Sequence, residues 1–247
     1  MECIRNFNRF ELKYLVSTSL IEPLECEFQK YLIPDHHGDK KGWYALKSLY
    51  YDTDDYQFYR EKIDGVKYRR KLRIRYYEKE KDLTEDDIVF VEIKQRIDRT
   101  TQKRRIPVTY KDALALCDER KLIEVEEKDR RVRDEIYEML WNYDLHPTCI
   151  TSYFRHARVG GECDPGVRIT FDTNIRKRTE DLDLSSKKLW EFMVAPDKAI
   201  MEIKVNDAIP TRLTELISDF GLRLIRISKY CQGLETAELV KNKSYWI

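Results

Sequence analysis

The sequence predicts an α+β fold, an antiparallel β-barrel of about eight strands closed into a tunnel, with helices packed outside. Three observations carry that expectation. Short segments that alternate charged and apolar residues recur along the 247-residue chain, as in a strand with two unlike faces. They follow one another with few of the long crossovers that parallel strands require. The helical segments are amphipathic and need an apolar surface to cover. No linker rich in Gly, Pro or Ser divides the chain and no repeat appears, so residues 1–247 read as one domain.

In chain order, FNRFELKYLV (7–16) sets Phe10, Leu12 and Tyr14 against Arg9, Glu11 and Lys13. STSLIEPLECEFQKYL (17–32) opens with Ser and Thr cap candidates and reads as a helix. WYALKSLYYDT (43–53) is an aromatic strand, and the Asp-Gly turn at 64–65 introduces the strand VKYRRKLRIRYY (66–77). DIVFVEIKQRI (87–97) and KRRIPVT (103–109) follow as strands. DALALCDERK (112–121) and EKDRRVRDEIYEMLWNY (127–143) are helices, the second with apolar spacing at Val132, Ile136 and Leu140. ITSYFRHARVG (150–160), VRITFDT (167–173), AIMEIKV (199–205) and LRLIRIS (222–228) read as strands. PTRLTELISDFG (210–221) is a helix with Pro near its start and Gly at its end.

Composition narrows the function. Charged residues make up 37% of the chain, yet the formal net charge is only +1. The whole molecule is therefore no magnet for nucleic acid or membrane, and any basic chemistry must be local. The six cysteines, Cys3, Cys26, Cys117, Cys149, Cys163 and Cys231, lack metal-ligand spacing and read as reduced thiols of a cytoplasmic protein. His36 and His37 sit in a polar, loop-like stretch and read as solvated. Trp43, Tyr50 and Tyr51 read as strand packing, and Tyr153 and His156 as neighbours of Arg155 without a ligand role of their own. The acidic stretch 78–87 reads as a solvated hairpin loop. No run approaches the ~18 apolar residues of a membrane span, so a membrane connection would need a partner protein.

Aligned by parity, the strands collect their charges. Lys71, Arg73 and Arg75 share a face, as do Glu92, Lys94 and Arg96; other strands offer Arg155, Arg168 with Asp172, and Glu202 with Lys204. The opposite faces carry Leu72 and Ile74, Val91 and Ile93, Ile169 and Phe171, and Met201, Ile203 and Val205. One reading puts the charges in water. The other puts the apolar faces outward under the helices and the charges inward. Arginine forks interspersed with single glutamates suit bidentate contact with phosphate oxygens. A dry lumen so lined would be unstable; one holding water, a divalent metal and a polyanion makes physical sense.

The ordered segments ELKY (11–14), LRIRYY (72–77), VEIKQR (91–96), TSYFRHARV (151–159), VRITFD (167–172), MEIKV (201–205) and SKYCQG (228–233) resemble the polyphosphate polymerase domain of the vacuolar transporter chaperone family, within the triphosphate tunnel metalloenzymes. The likeness runs over roughly residues 7–235; each motif alone is weak, but their order and shared parity are specific. It implies that Lys13, Arg73, Arg75, Lys94, Arg155, Arg168 and Lys204 face phosphates, joined by Arg226 and Lys229 near the nucleotide's terminal phosphates. Lys62 is matched to the family's phosphate-binding basic residue on the strand or turn before RxR. Glu202 corresponds to the metal-holding carboxylate, with Glu11 and Glu92 as helpers, for Mn²⁺ or Mg²⁺.

The implied reaction passes the terminal phosphate of ATP to a growing inorganic polyphosphate chain, through a tunnel open at both ends. The wider superfamily begins its first strand with ExExK, whereas Arg9 gives RFELK here. One lumen carboxylate fewer weakens a two-metal hydrolytic site and favours the polymerase branch. The alternatives are a metal-dependent triphosphatase and a non-catalytic polyphosphate-binding module.

Overall fold

The structure is a computed structural model and describes residues 9–35, 38–39, 41–78, 81–98, 100–161, 166–206 and 208–240. His36, His37, Cys3, Cys163 and two positions of the acidic stretch 78–87 lie outside the described residues. Ten strands form one sheet: β1 Arg9–Ser17, β2 Leu32–Pro34, β3 Trp43–Asp52, β4 Tyr68–Tyr77, β5 Ile88–Ile97, β6 Thr100–Thr109, β7 His146–Gly160, β8 Arg168–Arg178, β9 Glu191–Phe192 and β10 Lys198–Asn206. The main path runs β1-β10-β8-β7-β3-β4-β5-β6, with β2 beside β7 and β9 beside β8. Every pairing is antiparallel. The helices are α1 Ile21–Phe28, α2 Gln57–Ile63, α3 Tyr110–Cys117, α4 Arg130–Asn142, α5 Thr211–Asp219 and α6 Lys229–Thr236.

Two groups of helices cover the outer face. Leu72, Ile74, Val91, Ile93, Ile106 and Val108 pack with Ala113 and Leu116 of α3 and Ile136, Met139 and Leu140 of α4. The second group joins Ile169, Phe171, Met201, Ile203 and Val205 to Leu24 and Phe28 of α1 and Leu213 of α5. Each such side chain contributes roughly 1.5–3 kcal/mol on full burial, so the apolar faces turn to the helices. Strand alternation then sends the intervening charges to the concave side. Local signals set the helix ends: Thr109 Oγ1 accepts from the Asp112 amide at 3.1 Å to cap α3, and Gly221, at φ +59°, follows α5.

The sheet curls until distant strands touch, since Lys94 of β5 reaches Glu11 of β1 at 3.5 Å. The expected closed barrel is corrected to a curled sheet whose path ends at β1 and β6, with no ladder between them among the described residues. The reason lies in residues 222–228, expected as a strand. They form an extended segment whose only bridge among the described residues joins Leu224 to Tyr14, and the Ile225 amide donates to the Lys13 carbonyl at 2.8 Å. This segment occupies the edge of β1 that closure would use.

The interior is also partly filled. An apolar cluster of Leu46, Tyr153, Ile175, Met193, Ile200 and Ile227 fills part of it. Beside that cluster α6 lies against Tyr50, Tyr59 and Cys149 through Tyr230, Cys231 and Leu234.

Candidate active site

Four carboxylates organise the concave face. Glu92 of β5 is 1% exposed and accepts from Arg73 Nε and Nη2 at 2.9 and 2.6 Å. Arg75, Lys103 and Arg105 approach the same carboxylate at 4.0, 3.5 and 3.7 Å. Asp172 of β8 is 0% exposed; Arg155, its direct cross-strand neighbour, holds both oxygens at 2.6 and 2.7 Å. Lys229, the first residue of α6, donates to Asp172 at 2.5 Å. Glu202 of β10 meets Lys204 at 2.6 Å and Lys13 at 3.5 Å. Glu11 takes Lys13 at 2.9 Å and Lys94 at 3.5 Å. The four carboxylates thus share nine cationic side chains, and a polyanion is the natural complement of the surplus.

Burial raises the cost of ionising these acids, but neighbouring cations outweigh it. Lys13 foremost brings Glu11 down to about 2. Arg73 and Arg75 hold Glu92 at about 2, and Arg155 and Lys229 hold Asp172 at about 2. Glu202, against Lys204 and Lys13, lies well below the ordinary range. Lys94 goes the other way. Surrounded by protein and facing Lys13 and Lys204 as well as Glu11 and Glu202, it falls to about 8, while water still reaches 44% of its side chain along the interior.

Arg73, Arg75, Lys94, Lys13, Arg155, Lys204 and Lys229 therefore converge with Glu11, Glu92 and Glu202. Arg168 shares the concave face as the direct cross-strand neighbour of Lys204, and it donates to Asp35 at 2.6 Å and to the Tyr44 hydroxyl at 2.8 Å. Lys62 on α2 sits half-buried on the α6 side, where burial, Lys71 and Arg69 lower its pKa. Arg226 does not join the cluster. Its neighbours Ile225 and Ile227 pack inward, so it points away, exposed and without an ion pair among the described residues.

Sequence reasoning missed Lys103 and Arg105 as site residues. The run KRR at 103–105 hides its parity, because Arg104 turns outward to Glu135 of α4 at 2.7 Å. It also left Tyr153 aside, although that residue shares its face with Arg155 and its hydroxyl accepts from Arg75. Lys71, grouped by parity with Arg73 but not assigned a role, reaches Ser228 Oγ at 3.2 Å. Ser48 Oγ, Thr151 Oγ1, Thr170 Oγ1 and Arg75 Nε lie on the concave face and have no hydrogen-bond partner among the described residues.

Among the described residues no three His, Cys, Asp or Glu side chains converge as a metal cage. Glu11 and Glu202 do converge on the ammonium of Lys13 and are both held ionised. Two carboxylates that leave the remaining positions to phosphate oxygens and water fit Mg²⁺ or Mn²⁺. Glu92 is more fully engaged, its oxygens already shared among four cations.

The sequence profile of the VTC domain matches residues 8–238. Vacuolar transporter chaperone complex subunit 4 of Trypanosoma brucei brucei is 27% identical over 238 residues, covering 82% of this chain and 30% of that protein. The Schizosaccharomyces pombe protein of the same name is 24% identical over 296 residues, covering 98% and 39%. The chain thus spans about a third of the length of these curated relatives. A solved protein of Pyrococcus horikoshii OT3 shares 14% identity over 92% of this chain and 99% of that one, at a TM-score of 0.47, too loose a superposition to carry an argument.

Proposed function

Since the chain belongs to the VTC domain family, we propose that it is a metal-dependent polyphosphate polymerase, transferring the terminal phosphoryl group of ATP to the end of an inorganic polyphosphate chain. The observation that supports this most is the surplus of cations over carboxylates on the concave face. Attacking and transferred groups are both phosphates, and the acceptor oxygen is ionised at neutral pH, so no dedicated base is needed. What the reaction requires is alignment, and relief of repulsion between two polyanions.

In this reading Arg73, Arg75 and Arg155 grip phosphate oxygens with forks already oriented by Glu92 and Asp172. Lys13, Lys94, Lys204 and Lys229 neutralise charge that builds on the transferred group. Lys103 and Arg105 extend the same lining. Glu202 and Glu11 would hold Mn²⁺ or Mg²⁺, which when bound supplies further positive charge to the phosphates. The relatives are named as subunits of a complex, and none of the described helices is long and apolar enough to cross a membrane. A cytoplasmic domain coupled to a membrane partner fits both facts.

The test is direct: incubate the pure protein with ATP and Mn²⁺ and separate the products on a gel. Long chains are the expected result. Free phosphate without polymer would replace this reading with a triphosphatase. Absence of ATP turnover with either metal, alongside retained polyphosphate binding, would reduce the domain to a binding module.

A further inference from the structure

Phosphate recognition leaves part of the concave face unexplained. Along the inner side of β4, Arg73 and Arg75 are followed by Tyr77, each step about 6.6 Å at roughly 3.3 Å per residue. Tyr77 does not stand alone. Its ring lies 5.9 Å from that of Tyr44 on β3 and meets Phe90 of β5 edge to face at 5.8 Å. Phe90 is the direct cross-strand neighbour of Arg75. Three rings from three adjacent strands thus form an arc that begins where the arginines end.

Cations edge this arc. Arg105 stacks over Phe90 at 4.3 Å and Arg75 lies over Tyr77 at 5.6 Å. Arg168 is bonded to the Tyr44 hydroxyl at 2.8 Å. All three rings are only half-buried. Tyr44 and Tyr77 rest in part on the inner apolar cluster around Leu46 and Tyr153, and the remainder faces the interior. The α6 side offers no equivalent. There Tyr50 and Tyr230 stack on each other at 5.1 Å and are 8% and 1% exposed.

Bare phosphate gains nothing from half-exposed aromatic surface, whereas a nucleobase gains a stacking platform. We infer that the Tyr44–Tyr77–Phe90 arc is a nucleobase subsite, which orients the nucleotide with its base against these rings and its phosphates toward Arg75 and Arg73. This rests on the nucleotide reading above and deepens it. Rings read the π-face that every base presents, so the subsite favours nucleotides over inorganic phosphates and the large purines over pyrimidines, without selecting one purine by hydrogen bonds.

The test compares ATP with inorganic tripolyphosphate, which carries the phosphates and no base, by calorimetric titration of the full chain. Phe90→Leu and Tyr77→Leu are expected to raise the Kd for ATP about tenfold and to leave that for tripolyphosphate within twofold. Tyr77→Phe, which keeps the ring, should retain ATP affinity. Equal loss for both ligands, or loss for neither, overturns the subsite while leaving phosphate binding intact. Should a leucine variant fail to fold, the wild-type protein answers by itself. Transferred NOEs from the adenine H2 and H8 protons to aromatic ring protons are expected with ATP, and their absence refutes the assignment. ATP binding in the wild type without those NOEs removes the subsite alone, whereas tripolyphosphate binding without ATP binding removes the nucleotide reading together with the subsite. Binding of neither does the same.

Discussion

Leu72 and Ile74 point out of β4 toward the helices and Arg73 and Arg75 point in, yet on this strand both pairs are largely shielded from water. Leu72 and Ile74 are 0% exposed and Arg75 is 7%. The outer face is buried by a mechanism that stabilises the fold outright. The inner face pays a desolvation cost that its ion pairs only offset. One side of the sheet therefore holds the molecule together, while the other stores charge for a ligand. Substitutions on the two faces should separate these roles.

The largest separation is expected at Glu202. Glu202→Gln should lower polymer formation by on the order of 100-fold or more while polyphosphate binding persists, read by gel assay and by titration with the polymer. Turnover that survives the change would remove Glu202 from the metal-holding role. Next comes Ile203, its neighbour on the outer face. Ile203→Ala should cost about 2–5 kcal/mol in denaturant unfolding with unchanged polyphosphate affinity in the folded fraction. An affinity change there would mean that the two faces are coupled.

Glu92→Gln tests the inner face from the opposite direction. Stability should fall by about 1.5–3 kcal/mol, because the fork of Arg73 loses its charged acceptor. Tripolyphosphate affinity should rise several-fold, because one competing carboxylate is gone. A weaker complex in the presence of Mn²⁺ would instead give Glu92 a share in holding the metal.

The smallest effect is a pH dependence set by Lys94. With its pKa at about 8, Lys94 is charged below that value and neutral above it in the free protein, so tripolyphosphate binding should weaken by about threefold to tenfold between pH 7 and 9.5. An ordinary lysine would stay charged across this range. A bound polyanion favours the charged form, so binding near pH 8 takes up a proton, which calorimetry in buffers of different ionisation enthalpy detects. Lys94→Arg should flatten the profile.

Much of the architecture was legible because alternation survives in the sequence of nearly every long strand. Which face turned inward was not legible from any one strand. It emerged only when the apolar stripes of α1, α3, α4 and α5 were given a surface to cover. Where the reading failed, local pattern was masked or overridden. KRR at 103–105 splits across both faces, so the inward Lys103 and Arg105 were hidden by the outward Arg104. LRLIRIS at 222–228 alternates like a strand but has a partner at a single bridge, and that left Arg226 outside the cluster expected to include it. The aromatic arc was invisible because Tyr44, Tyr77 and Phe90 come from three strands and are joined only by register.

The segment at 224–225 also bears on how the protein behaves when concentrated. A strand edge with free amides and carbonyls invites pairing with another chain. On β1 that invitation is withdrawn by the molecule's own later residues, which take the Lys13 carbonyl. At the other end of the path, β6 carries Pro107 and the charges of Lys103, Arg104 and Arg105, all features that discourage strand addition. A curled sheet left unsealed thus keeps its two margins from templating aggregation, one by self-pairing and the other by proline and charge.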